Sequence, residues 1–125
     1  MVKVPAHFKK FLKEEKFTLV QGRLFGRVDI YSNNNLTLRI VKDYNAFKSI
    51  EISSKIDTSR WLDLSILRSY SLGNDDYFDA LDFEVGINFF IEYYKEICSL
   101  LDSNNYHSTV IKLRELAIKR SESEE

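Results

Sequence analysis

The chain is expected to be an α+β protein, with an N-terminal helix, an antiparallel β-meander of three to five strands, a short helix and a C-terminal antiparallel helix pair packed on one sheet face. Three observations predict this. Between residues 23 and 53, apolar and polar residues alternate with the period of two that marks half-buried strands. Further on, Phe83, Ile87, Phe90, Tyr94, Ile97 and Leu101 recur at helical spacing and form one apolar stripe. The length of 125 residues, with 44% hydrophobic and 30% charged content, fits one core, so residues 1–125 are expected to form a single domain with 121–125 as a frayed charged tail.

The elements follow in order. Pro5 suits the first turn of a helix, and Phe8, Phe11 and Leu12 follow at spacings that share a face, which predicts a helix over about 5–15. Phe17 to Val20 favour a strand that Gly22 interrupts. From Arg23 the alternation sends Leu24, Gly26, Val28 and Ile30 to the core and Phe25, Arg27, Asp29 and Tyr31 outward. Asn33, Asn34 and Asn35 predict a three-residue loop with left-handed backbone, which opposes Ile30 to Leu38, Val28 to Ile40 and Asp29 to Arg39.

A second loop at Tyr44, Asn45 and Ala46 opposes Asp43 to Phe47, Leu38 to Ile52 and Arg39 to Glu51. Together the two registers predict a charged row of Asp29, Arg39 and Glu51 across three strands, and a core face of Leu24, Val28, Ile30, Leu38, Ile40, Ile50 and Ile52. Trp61 and Leu62 form a short extended step. Asp63 then caps a helix at about 64–72, which Gly73 ends in the left-handed conformation. Asn74, Asp75, Asp76 and Asp79 lead into the longest helix. Ser103 to Asn105 break it, and Val110, Leu113 and Ala117 mark a last helix ending near Arg120.

Motifs for chemistry are sparse. His7 and His107 have no second histidine or cysteine at ligand spacing, and a lone Cys98 cannot build a cysteine-based zinc site. Gly22 and Gly26 lack the third glycine, the Lys-Ser/Thr pair and the following helix of a phosphate loop. The acidic run Asp75, Asp76, Asp79 and Asp82 lacks the spacing of a calcium loop and reads as a solvated helix start. Catalytic, cofactor and metal residues are therefore not assigned. The expectation is a non-enzymatic chain without a cofactor.

Charge is unevenly placed, although the net value is only −1. Residues 1–27 are rich in lysine and arginine, whereas 75–84 hold five acids and no base. The sheet aromatics beside Arg27 resemble a stacking platform for nucleic acid, but a pI near 6.1 and the acids Asp29 and Glu51 argue against it. Protein recognition fits better. Phe25, Arg27, Tyr31, Arg39 and Phe47 on the outer face carry the aromatic and arginine content of interface hot spots, and Asp75, Asp76 and Asp79 suit a basic partner. Two other readings stay open: a small-ligand binder or enzyme with a pocket between sheet and helix pair, lined by aromatics with Arg39, Glu51 and Trp61, and a homo-oligomeric structural or regulatory protein.

No apolar run approaches the length of a membrane helix, and the lysine-rich start lacks the apolar core of a secretory signal. A cytoplasmic chain beginning at or near Met1 is expected. The stretch Val28-Asp29-Ile30-Tyr31-Ser32-Asn33, followed by Leu36-Thr37-Leu38-Arg39-Ile40-Val41-Lys42-Asp43 and then Trp61-Leu62-Asp63-Leu64, resembles small uncharacterised bacterial proteins, some of them immunity-protein-like. The resemblance implies a cytoplasmic protein that binds and neutralises a toxin domain, often a basic nuclease. It carries over no functional residue.

Overall fold

The computed structural model describes residues 3–23, 27–42, 48–73 and 82–123. Its elements run α1 (Ala6–Glu14), β1 (Thr18–Arg23), β2 (Val28–Ser32), β3 (Leu36–Lys42), β4 (Lys48–Ser54), β5 (Leu62–Asp63), α2 (Leu64–Leu72), α3 (Phe83–Glu92), α4 (Tyr94–Leu100) and α5 (Tyr106–Ser123). The strands form one antiparallel sheet in the order β1-β2-β3-β4-β5, the expected meander. Leu24, Phe25 and Gly26, the loop with Asp43 and Phe47, and the acidic connection from Asn74 to Asp79 lie outside the described residues.

Local chemistry explains the helix ends. Pro5 sits in extended backbone as the N-cap of α1, where its missing N–H costs no helical bond. At the other end Lys16 adopts φ 62°, and the Phe17 and Lys16 N–H groups donate to Leu12 O and Lys13 O. This is a Schellman turn with a lysine in the left-handed position that glycine usually fills. Asp63 caps α2 by accepting from the Ser65 N–H at 2.8 Å, and Gly73 ends it at φ 62°, both as the sequence predicts. Asp82 caps α3 through the Glu84 and Val85 N–H groups.

The long apolar stripe is real but spans two helices. Tyr93, at φ −105° and ψ 17°, bends the path between α3 and α4, while the Tyr93 N–H still donates to Phe89 O and the Ile97 N–H to Tyr93 O. Ile87, Phe90, Tyr94, Ile97 and Leu101 are all buried across the bend. The longest helix is instead α5, which packs most extensively on α2 and extends to Ser123, into the segment expected to be a tail.

The β3–β4 register matches expectation, with Leu38 opposite Ile52 and Arg39 opposite Glu51. The β2–β3 register does not. Tyr31 lies opposite Leu38, Ile30 opposite Arg39 and Asp29 opposite Ile40, one residue away from the expected pairing. A one-residue slip turns every side chain of a strand to the other face. Asp29 and Tyr31 therefore share the core face with Leu38 and Ile40, while Val28 and Ile30 share the outer face with Arg39 and Val41. Asp29 is fully buried, and no Asp29-Arg39-Glu51 row exists.

The cause lies in the turn. Asn33 and Leu36 still pair, because the Asn33 N–H donates to Leu36 O at 3.1 Å, so only Asn34 and Asn35 form the connection. The returning bond is made by a side chain: Asn33 Oδ1 accepts from the Leu36 and Asn35 N–H groups, both at 2.9 Å. Neither Asn34 nor Asn35 has positive φ, because the amide, rather than a left-handed backbone, closes the turn.

The core lies between the sheet and the helices. Leu36, Leu38, Ile40 and Ile52 meet Phe8, Leu67, Ile87, Phe90 and Ile97, all fully buried. Aromatic rings bind α1 to the α3–α4 pair: Phe8 and Phe11 meet Phe90 edge-on at 6.2 and 5.9 Å, and Phe11 meets Tyr94 at 5.3 Å. Arg39, Glu51 and Trp61 are not part of this layer.

Candidate functional site

The described residues hold no group of three or more histidines, cysteines or acids placed to bind a metal ion. His7 is exposed on α1 beside Asn88, and His107 is exposed on α5 against the edge of Tyr106. Cys98 is half-buried, and desolvation pushes its thiol above the ordinary range, away from a reactive thiolate.

What the fold does assemble is a stacked group on the sheet face opposite the helices. Arg39 projects from the middle of β3. Its Nε and Nη2 both donate to Glu51 Oε1 on β4, at 3.1 and 2.9 Å. The guanidinium carbon lies 4.3 Å from the centre of the Trp61 ring, next to β5. Arg39 and Glu51 side chains remain 28% and 26% accessible, so the group is held in place and still reachable. Ile30 lies opposite Arg39, and Val28 opposite Val41, so half-buried apolar side chains adjoin the charged pair.

Each contact alone is modest. A partly exposed ion pair contributes about 0–1 kcal/mol, and an exposed cation–π contact about 0.5–1 kcal/mol. Their combined effect is geometric. The guanidinium is fixed on two sides, so little side-chain entropy of Arg39 would remain to be lost in any further contact.

Of the three expected site residues that are described, Arg27, Tyr31 and Arg39, only Arg39 occupies the outer face as foreseen. Tyr31 is on the core face, where burial, and then the neighbouring Asp29 charge, push its phenol above the ordinary value of 10.0. Arg27 is half-buried in the turn before β2, and its carbonyl accepts from the Lys42 N–H at 2.7 Å. Phe25, Phe47, Asp75, Asp76 and Asp79 lie outside the described residues. Val28, Ile30 and Val41 are additions to the surface. The polar pairing of Ser32 with Thr37, whose hydroxyls lie 3.3 Å apart, is the sequence feature that could have revealed the true register.

A second polar cluster joins the β2–β3 turn to the helices. Asn33 Nδ2 donates to Glu15 O and to the Tyr94 hydroxyl, both at 2.8 Å, and Asn35 Nδ2 reaches that hydroxyl at 3.4 Å. Burial raises the Tyr94 phenol above its ordinary value, while the two asparagine bonds oppose the shift. Every polar atom of the Asn33 amide is used, which makes it a structural clamp and not a free recognition group.

Comparison with family models, curated proteins and solved structures returned no match to this chain.

Proposed function

We propose that this protein is a non-enzymatic protein-binding module that docks its partner on the outer sheet face, around Arg39, Glu51 and Trp61. The stack of Arg39 between Trp61 and Glu51, ordered yet a quarter accessible, carries this reading. Tryptophan and arginine dominate interface hot spots because each covers a large contact area with few internal rotations to freeze. The adjoining Val28, Ile30 and Val41 supply an apolar surround that excludes water. The acids of residues 75–84 favour a basic partner, by steering its approach.

A bacterial immunity protein that neutralises a toxin domain fits this reading, through the resemblance of β2, β3 and the 61–64 segment to immunity-protein-like chains. The test is co-expression with the product of the adjacent gene, followed by co-purification and assay of growth. Rescue of toxicity that Trp61→Ala and Arg39→Ala both weaken supports the proposal. A complex or a rescue indifferent to both variants contradicts the docking face, and an adjacent product that neither binds nor harms the cell contradicts the immunity version.

A further inference from the structure

The edge of the sheet at β5 carries a second feature, which shares Trp61 with the outer-face stack. Arg60, Trp61, Leu62 and Asp63, together with Ile66 of α2 and Val110, Leu113, Arg114 and Ala117 of α5, line a cleft. Its volume is about 380 Å³, within the range of small-molecule sites. The α5 residues recur at spacings of three and four, so one helix face lines the cleft.

The polar groups are few and unequal. Asp63 Oδ1 is engaged by the Ser65 N–H and hydroxyl as the cap of α2. Arg60 lies 3.9 Å from Asp57, a long pairing, and the Asp57 carboxylate is also held by the Ser59 N–H and hydroxyl. Arg114 is exposed and makes no ion pair among the described residues. An apolar cleft lined by two arginines, one of them without an ion pair among the described residues, and by one carboxylate already engaged as a helix cap suits a molecule with a hydrocarbon body and one negative head.

We infer that this cleft binds a small amphipathic carboxylate, with its hydrocarbon part against Trp61, Leu62, Ile66 and Val110 and its carboxylate toward Arg114 and Arg60. Arginine presents paired N–H donors that match the two oxygens of a carboxylate, which selects this head over an alcohol or an ammonium. The Trp61 wall is preset, because Arg39 already holds the ring from the outer-face side. The inference does not depend on the proposed protein partner.

Trp61 is the single tryptophan of the chain, so its emission reports on the cleft directly. The probes are octanoate, octanol and octyltrimethylammonium, titrated below their aggregation limits into the intact protein, with calorimetry as a second readout. Octanoate is expected to change the emission saturably and to bind about fivefold or more tightly than octanol, with the cation weakest. Decanoate should bind several-fold more tightly than octanoate, as added methylenes leave water. Arg114→Gln should abolish the preference for carboxylate while octanol binding persists. Ala117→Phe, which fills the cleft, should weaken both probes. Equal binding of octanoate and octanol by the unaltered protein, no saturable binding by either readout, or carboxylate preference that survives Arg114→Gln would overturn the inference.

Discussion

The two faces of this sheet are built from the same strands and behave as different materials. On one, Leu36, Leu38, Ile40 and Ile52 are fully buried against helices. On the other, Arg39, Glu51 and Trp61 stack in partial contact with water, flanked by half-buried Val28, Ile30 and Val41. The first face derives its energy from close packing, where every lost methylene is felt. The second contributes little to folding, and so is free to carry recognition. Adjacent residues on β3 thus stand in opposite environments.

Leu38 and Arg39 make that contrast testable within one strand. Leu38→Ala opens the centre of the core and should cost about 2–5 kcal/mol, read as a fall in the urea midpoint. Arg39→Ala removes a partly exposed pair and a cation–π contact and should cost about 0.5–2 kcal/mol. Comparable losses from the two substitutions would mean that the outer face is structural after all.

Asn33→Ala comes next in size. It removes the acceptor of the Leu36 and Asn35 N–H groups and the donor to Glu15 O and Tyr94, at a site that joins the sheet to α1 and α4. A loss of about 1–3 kcal/mol is expected from denaturant unfolding, because partly buried partners are left without their bonds. Tyr94→Phe should lose less, since it removes a single hydroxyl.

That clamp also marks the boundary of what could be read from sequence. The β3–β4 register was legible because Leu38 with Ile52, Ile40 with Ile50, and Arg39 with Glu51 satisfy one alignment together. On β2 the residues are less decisive: Val28 and Ile30 face one way and Asp29 and Tyr31 the other, and either set fits beside β3. The choice falls to the turn, where Asn33 is committed by Glu15 and Tyr94, partners far away in the sequence. Local alternation carries no information about such bonds. The caps at Asp63 and Gly73 were legible because their partners lie within two to four residues. The Arg39-Glu51 pair of the candidate site was legible too, but its apolar flank was not, because the slip exchanged Tyr31 for Ile30.

Smaller effects sharpen the same picture. Lys16 holds a left-handed conformation that disfavours a Cβ, so Lys16→Gly should stabilise the fold by about 0.5–1 kcal/mol, seen as a higher urea midpoint. Alkali probes the core face through its phenols. Burial raises Tyr31, Tyr94 and Tyr106 above their ordinary value of 10.0. The unfolded chain therefore ionises first. Stability from these groups is complete below pH about 10 and declines as pH rises through the raised native values. Urea midpoints measured across that range should fall, and Tyr94→Phe should flatten part of the decline.

The most direct test of the outer face as a docking surface is the affinity of Trp61→Ala for the co-expressed product of the adjacent gene, measured by calorimetry beside its urea midpoint. A hot-spot tryptophan predicts a loss of at least about thirtyfold in affinity, equivalent to about 2 kcal/mol, with a stability change of about 1 kcal/mol or less. Unchanged affinity in a folded Trp61→Ala protein would contradict the account.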